Sequence, residues 1–293
     1  MQKITQFIRL LRPHQWLKNA FVFTGLIFAH AWHQPQIIIA VINATIAFCF
    51  MSSSVYILND ILDLQQDKLH PSKKNRPIAS GAISVKQALP LAIILFIAAL
   101  SIGYVASLKV LVVLLIYAII NVLYCIELKH IVIIDVFVIA FGFMLRIIAG
   151  TWGVGIAPSQ WLMLCGLMIT LFLGFTKRRA EIAGMEEGAI ISQRKVLEHY
   201  SPTILDKLIG ITATGTIITY SLYTVSPSTI QIQGTANLIY TVPFVMYGIF
   251  RYIYLLHNAI RKNGEDTASD LLKDKHLLVT VIAWFVLLII LIH

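Results

Sequence analysis

The sequence predicts an all-α polytopic membrane protein, a bundle of nine transmembrane helices with its N-terminus in the cytoplasm. Three observations predict it. Of the 293 residues 58% are hydrophobic and only 13% are charged, where a soluble domain carries about 45–50% apolar and about a quarter charged residues. The apolar residues gather in long runs separated by short polar stretches, which is how helices that cross a bilayer read in sequence. The basic residues, finally, fall almost wholly on one side of those runs.

A hydrocarbon core of about 30 Å takes roughly 20 apolar residues per helix. By that measure the spans are 17–33, 36–58, 87–107, 109–126, 131–151, 159–176, 208–225, 236–257 and 276–292. They leave no stretch long enough for a separate soluble domain, so residues 1–293 read as a single transmembrane domain. With the N-terminus inside, the cytoplasmic segments collect 20 of the 23 Lys and Arg residues, as the positive-inside rule requires. Arg146 and Arg251 sit within spans, and Lys109 alone falls outside. Lys3, Arg9 and Arg12 precede the first run without an A-x-A cleavage site, so the N-terminus is expected to be an uncleaved cytoplasmic segment. Cys49, Cys125 and Cys165 lie in or beside apolar runs with no partner at ligand spacing. They read as buried thiols, neither a disulfide framework nor a zinc site.

All 14 acids lie in or near the same inside segments. Asp and Glu contribute little to topology, so another cause places them there. The second span ends in Asn59-Asp60-x-x-Asp63-x-x-x-Asp67. Steps of three and four put Asp60, Asp63 and Asp67 on one helix face with Asn59 beside them. Like charges there repel, and a helix C-terminus disfavours negative charge further. A cation is the expected remedy, and oxygen ligands open to water suit Mg²⁺, which shares its coordination with substrate phosphates. Lys73, Lys74 and Arg76 follow, either as phosphate clamps, Arg76 in a bidentate fork, or as topological anchors.

These residues resemble the UbiA superfamily of intramembrane prenyltransferases. The resemblance rests on the long Asp motif, on His70-Pro71, on Arg76-Pro77-Ile78-Ala79-Ser80-Gly81 and on the nine-span layout. It implies Mg²⁺ and a pyrophosphate held by Asp-rich motifs after the second and sixth helices. After the sixth span, however, this chain reads Gly174-Phe-Thr-Lys177-Arg178-Arg179-Ala-Glu181, one acid amid three bases. That departure is similar to the polyprenyl-phosphate phosphoribosyltransferase branch. So are Leu11-Arg12-Pro13-His14-Gln15-Trp16-Leu17-Lys18-Asn19, the stretch from Asp135 to Gly150, and Arg251-Tyr252. The branch implies 5-phosphoribosyl 1-diphosphate as donor and a polyprenyl phosphate lipid as acceptor, in a plasma membrane with the site facing the cytoplasm; no nucleic-acid partner is expected. The alternative within the family is transfer of a polyprenyl chain from its diphosphate to an aromatic acceptor.

On this reading Asp60, Asp63 and Asp67 are the catalytic and metal residues. Arg76, Lys177, Arg178 and Arg179 are candidates for phosphate, Lys18 for the lipid or a donor phosphate, and Glu181 for a metal or ribose contact. Asp135 and Arg146 are about three turns apart on nearly one face. Asp135 is a candidate for the site, while Arg146 serves either the site or buried carbonyls and polar side chains. Asn121 and Tyr124 are candidate donors to the lipid phosphate or sugar. Tyr56, one turn before the Asp cluster, lines the cavity or sits as an interfacial aromatic. Glu265, Asp266, Asp270 and Asp274 mix with bases in the last inside loop and read as solvated.

Overall fold

Among the residues that a computed structural model describes (2–70, 73–186, 195–257 and 274–292), every regular element is a helix. They form two units, residues 1–158 and 159–293. The first holds α1 (Gln2–Leu11), a 3-10 helix (Pro13–Phe23), α2 (Thr24–Phe28), α3 (Pro35–Leu62), α4 (Leu64–Leu69), α5 (Val85–Ala106), α6 (Leu108–Ile126) and α7 (Ile134–Gly150). The second holds α8 (Gln160–Glu186), α9 (Pro202–Val225), α10 (Pro227–Gln233), α11 (Val242–His257) and α12 (Lys275–Ile292).

Eight described helices are long and apolar enough to cross a membrane, from Pro35–Leu62 to Lys275–Ile292. Their outward side chains are apolar: Ile94 is 63% exposed, Ile97 57% and Ile290 64%. Such surfaces are a liability in water and the expected finish in lipid. In lipid, helix association rests on close packing, which small residues allow. The buried positions of the first unit follow that rule, with Ala44, Ala47, Ala92, Ala99, Gly103 and Ala149 among them.

The expected first span, 17–33, takes a different form. Its residues divide among the 3-10 helix Pro13–Phe23, the short α2 and a second 3-10 turn at Ala31–His33. Pro13 disfavours the right-handed α conformation at the residue before it, and Arg12 adopts a left-handed one (φ 53°, ψ 56°). This closes α1 and starts a new helix in another direction. Runs of 3-10 helix longer than three or four residues are uncommon, and here tertiary contacts hold one. Ser53 Oγ on α3 donates to the Leu11 carbonyl (2.8 Å) and accepts from Trp16 Nε1 (3.0 Å). A Cβ on Gly150 would fall 1.7 Å from the Val22 carbonyl oxygen, and one on Gly25 would fall 2.0 Å from the Gly150 carbonyl oxygen. The end of this segment thus lies backbone against backbone on the last turn of α7. Because a 3-10 helix rises about 2.0 Å per residue against 1.5 Å for an α-helix, residues 13–28 have a contour of about 30 Å.

In the second unit, α8 and α9 pack along their length, and Phe172 meets Tyr252 of α11 edge to face at 5.4 Å. Tyr220 shares a hydrogen bond with Thr241 (2.7 Å) and accepts one from Trp284 Nε1 (2.9 Å), which ties α9 to α12. Asp274 caps α12 by accepting from the Leu277 amide (2.8 Å) and holds Arg251 of α11 (Nη2 to Oδ2, 2.9 Å). The Arg251 hydrogen bond pulls the Asp274 carboxyl below the usual carboxylate range against the opposing effect of burial.

Two outcomes are expected. Gly150→Ala forces backbone apart and lowers the thermal unfolding midpoint in detergent, whereas Gly210→Ala, with open space around its Cβ, leaves it unchanged or higher. A depressed carboxyl contributes stability above its unfolded value, about 3.9, and loses it as pH falls through the lower folded value. The midpoint gap between the wild type and Asp274→Asn should therefore be full at pH 7 and close only below about pH 4.

Candidate active site: a carboxylate cluster neutralised by three bases

The face of α3 that meets the N-terminal segment carries Cys49, Ser53, Tyr56 and Asp60, spaced by four, three and four residues, so they line one stripe. Each meets a successive part of that segment. Asn19 Nδ2 contacts Cys49 Sγ (3.2 Å), Ser53 holds Leu11 and Trp16, and the Arg12 guanidinium lies 5.2 Å from the Tyr56 ring centroid. Arg12 Nη2 also donates to Asp60 Oδ1 at 2.5 Å.

Asp60 is 2% exposed and Asp67 3%. Arg76 Nη1 lies between them, 3.1 Å from Asp60 Oδ1 and 2.6 Å from Asp67 Oδ2. Asp63 departs from the common face expected of it. The helix breaks there (φ −87°, ψ 6°), although the amides of Asp63 and Asp67 still bond to the carbonyls of Asn59 (2.9 Å) and Asp63 (2.8 Å). Asp63 Oδ1 meets Lys129 Nζ of the α6–α7 connection at 2.8 Å. The repulsion legible in the sequence is thus relieved in two ways. One carboxylate turns aside, and three bases, Arg12, Arg76 and Lys129, neutralise the three acids.

Among the other expected site residues, Asn59, Tyr56, Lys18 and Lys73 are half-buried, and Lys74 is exposed. His70 Nδ1 accepts from the Lys73 amide (3.3 Å), which requires a neutral ring. Burial, then the neighbouring Lys73, lowers its pKa, against the opposing Asp67 charge. Asp135 is fully buried in the first turn of α7, where the helix dipole favours a negative charge. Asn121 Nδ2 donates to the Tyr117 carbonyl (2.8 Å) on its own helix, and Tyr124 is half-buried.

Arg146 is 4% exposed, and each guanidinium nitrogen has a partner within the first unit. Nε donates to Asn19 Oδ1 (2.7 Å), Nη1 to the Gly142 carbonyl (2.7 Å) and Nη2 to Tyr117 Oη (3.1 Å). Its Cζ also lies 4.8 Å from the Tyr117 ring centroid and 5.5 Å from those of Phe48 and Phe143. Of the two roles left open for it, these are the partners of the second, a carbonyl and polar side chains deep in the bundle.

In the second unit, Arg178 is 1% exposed and its Nη1 donates to Glu181 Oε2 at 2.5 Å. The one acid of the altered motif is therefore engaged by the base three residues before it. Arg179 Nε meets Asp206 Oδ1 of α9 at 3.1 Å, His257 Nε2 of α11 approaches the same oxygen at 3.6 Å, and Lys177 is half-buried. Of the acidic run expected in the last inside loop, residues 265, 266 and 270 lie outside the described residues, and Asp274 is the α12 cap. Three residues with a direct part in this electrostatics were not singled out from sequence: Arg12, Lys129 and Asp206. Arg12 had a signal in the Pro that follows it, and Lys129 in being the one base of its connection. Asp206 had none.

The chemistry of the donors bears on the expected metal. Among the described residues, no three His, Cys, Asp or Glu side chains converge as a metal cage. Mg²⁺ does not need one, since it commonly takes one or two carboxylates and completes its shell with water and phosphate. Asp60 and Asp67 are such a pair, and the Arg76 guanidinium between them shows that the place between their carboxylates demands positive charge. The residues fit a divalent cation in company with an anionic ligand.

Lipid-facing helices around a carboxylate cluster of this kind define a class of intramembrane proteins equipped for phosphorylated ligands. Within that class the chain belongs to the UbiA prenyltransferase family, whose sequence profile matches residues 19–273. It is similar to the decaprenyl-phosphate phosphoribosyltransferase of Corynebacterium glutamicum, 34% identical over 94% of this chain and 83% of the relative. It is also similar to the decaprenyl-phosphate phosphoribosyltransferase of Mycolicibacterium smegmatis, 31% identical over 96% and 90%. Its fold is shared by a UbiA homolog from Archaeoglobus fulgidus bound to GPP and Mg²⁺, with a TM-score of 0.71 at 17% identity over 97% of this chain and 96% of that one. The chain is a multi-pass membrane enzyme, a transferase.

The Arg146 network generates a stability ordering. Arg146→Met leaves the Asn19 and Tyr117 polar groups buried without their donor and is expected to cost about 2–4 kcal/mol, against about 1 kcal/mol for Tyr117→Phe. Unfolding midpoints of the two variants in detergent check the order.

Proposed function

We propose that this enzyme transfers the 5-phosphoribosyl group from 5-phosphoribosyl 1-diphosphate to a polyprenyl phosphate, releasing pyrophosphate and forming polyprenylphosphoryl-5-phosphoribose. The names of its relatives support this reading, and one observation in the chain carries it: the second motif holds a single acid, Glu181, amid Lys177, Arg178 and Arg179. A prenyl diphosphate bound through two acidic motifs needs more than one carboxylate there for metal. A donor with a separate 5-phosphate and an acceptor with a phosphate of its own need cations, and the motif offers Lys177 together with Arg178 and Arg179, which rest on Glu181 and Asp206. Transfer of a polyprenyl chain to an aromatic acceptor is disfavoured for the same reason.

Asp60 and Asp67, with Asp63 beside them, would hold Mg²⁺, which when bound supplies Lewis-acid stabilisation of the charge growing on the diphosphate. Arg76 and Lys73 hold the diphosphate oxygens, Arg76 through its planar fork. As the C1–O bond to pyrophosphate breaks, positive charge develops on the ribose, and a phosphate oxygen of the lipid forms the new bond to C1. That oxygen is already anionic near pH 7, so no general base takes a proton. Lys18 holds the lipid phosphate or a donor phosphate. Asn59, Tyr56, Asn121, Tyr124 and Asp135 are the polar contacts proposed for sugar and phosphate, and Arg178 acts through Glu181.

We place the N-terminus in the cytoplasm and count nine crossings, with residues 13–28 as the first. Their contour of about 30 Å matches a bilayer core, and the placement of Lys and Arg requires an odd count before the alternation fits. The site then faces the cytoplasm from a plasma membrane.

The test is transfer of radiolabel from phosphoribosyl diphosphate into the lipid fraction by purified protein. Transfer should require Mg²⁺, stop with EDTA and fall by about 100-fold or more in Asp60→Asn, the scale of losing one contact to developing charge. A folded wild-type protein that leaves the lipid unlabelled, yet turns over a polyprenyl diphosphate with an aromatic acceptor, would overturn the assignment.

A further inference from the structure

We infer that Arg12 is an exchangeable counter-cation: it occupies Asp60 until a divalent ion arrives with a diphosphate, then passes from the carboxylate to the diphosphate. The inference rests on the metal reading above and goes beyond it by assigning a residue that couples the two ligands.

Charge balance comes first. Asp60 and Asp67 bring two negative charges to nearly dry positions, and Arg12 and Arg76 bring two positive ones within 3.1 Å. A pair already neutral offers a divalent cation little net attraction, and the cation repels both guanidinium groups. The oxygens tell the same story. Asp60 Oδ1 accepts from Arg12 and from Arg76 at once, so both of its lone-pair directions are taken. An ion that uses this oxygen must displace one of them, and an ion on Oδ2 of the same carboxylate still faces both guanidinium charges.

Arg12 is the one built to leave. Arg76 is held by two carboxylates and keeps Asp67 if Asp60 is lost. Arg12 meets Asp60 alone among the described carboxylates, and its backbone is left-handed, a conformation disfavoured for a non-glycine residue. That conformation aims the side chain at Asp60 from outside α3, on a segment anchored on either side through Ser53. The Tyr56 face beneath the guanidinium gives it a resting surface independent of the carboxylate. A diphosphate beside the ion offers the released guanidinium a stronger, bidentate partner. Metal and diphosphate then bind with positive coupling, each raising the other's affinity by the same factor.

The measurement is Mn²⁺ binding followed by electron paramagnetic resonance on the full chain in nanodiscs, with and without inorganic pyrophosphate. The variants are Arg12→Gln and Arg12→Gly, the second accepting the left-handed backbone without strain. In the wild type, pyrophosphate should tighten Mn²⁺ by at least about tenfold, a normal size for coupled sites. In both variants Mn²⁺ alone should bind about threefold or more tighter, while the pyrophosphate enhancement shrinks toward unity. A residue that only supports the fold would weaken metal binding instead. Variants that bind Mn²⁺ no tighter than wild type, or keep the full enhancement, overturn the exchange and leave the metal site standing. A wild type that binds no Mn²⁺ even with pyrophosphate overturns the metal reading and the exchange with it.

Discussion

Two carboxylates buried at a membrane boundary are the constraint on which the first unit depends. Asp60 sits in the last turn of a long apolar helix and Asp67 in the short helix that follows it, and burial disfavours the negative charge of both. Cations must come from elsewhere in the chain, and they come from three directions: Arg12 from the N-terminal segment, Arg76 from the loop after α4, and Lys129 from the α6–α7 connection. The arrangement organises four segments around one helix end. Its interior is neutral, three carboxylates meeting three bases.

The backbone around the cluster serves the same end. Arg12 reaches Asp60 because Pro13 turns the chain and Ser53 fixes both sides of the turn. The far end of the segment lies on α7 through the contact of Gly25 with Gly150 and of Gly150 with Val22. Between these anchors Arg146 joins the N-terminal segment, α6 and α7 through Asn19, Tyr117 and the Gly142 carbonyl. The deep arginine thus preserves the geometry that the shallow arginine exploits.

Much of this was legible in sequence. Apolar run lengths and basic asymmetry are properties of single segments, and eight helices stand where those runs do. The Asp motif announced itself because three acids at helical spacing beside Ile61, Leu62 and Leu64 have no stable reading without a cation. Four things were not legible. The 3-10 character of residues 13–23 arises from contacts with α3 and α7, since no local propensity favours so long a run. The turn of Asp63 away from its neighbours depends on Lys129, which is 66 residues distant. The pairing of Arg178 with Glu181 was available at i, i+3 spacing, but the burial of Arg178 was not. Asp206 gave no sign because its partners, Arg179 and His257, come from two other helices.

On the proposed exchange, the Asp60 carboxylate is held in turn by the Arg12 guanidinium and by a metal ion. The direct measurement is a structure of the protein in nanodiscs with Mn²⁺ and pyrophosphate, the metal located by its density and anomalous signal. The expected result is an ion on the Asp60 carboxylate, with Arg12 moved from Asp60 onto the pyrophosphate. An ion bound elsewhere, with the Arg12–Asp60 pair intact, would contradict the exchange.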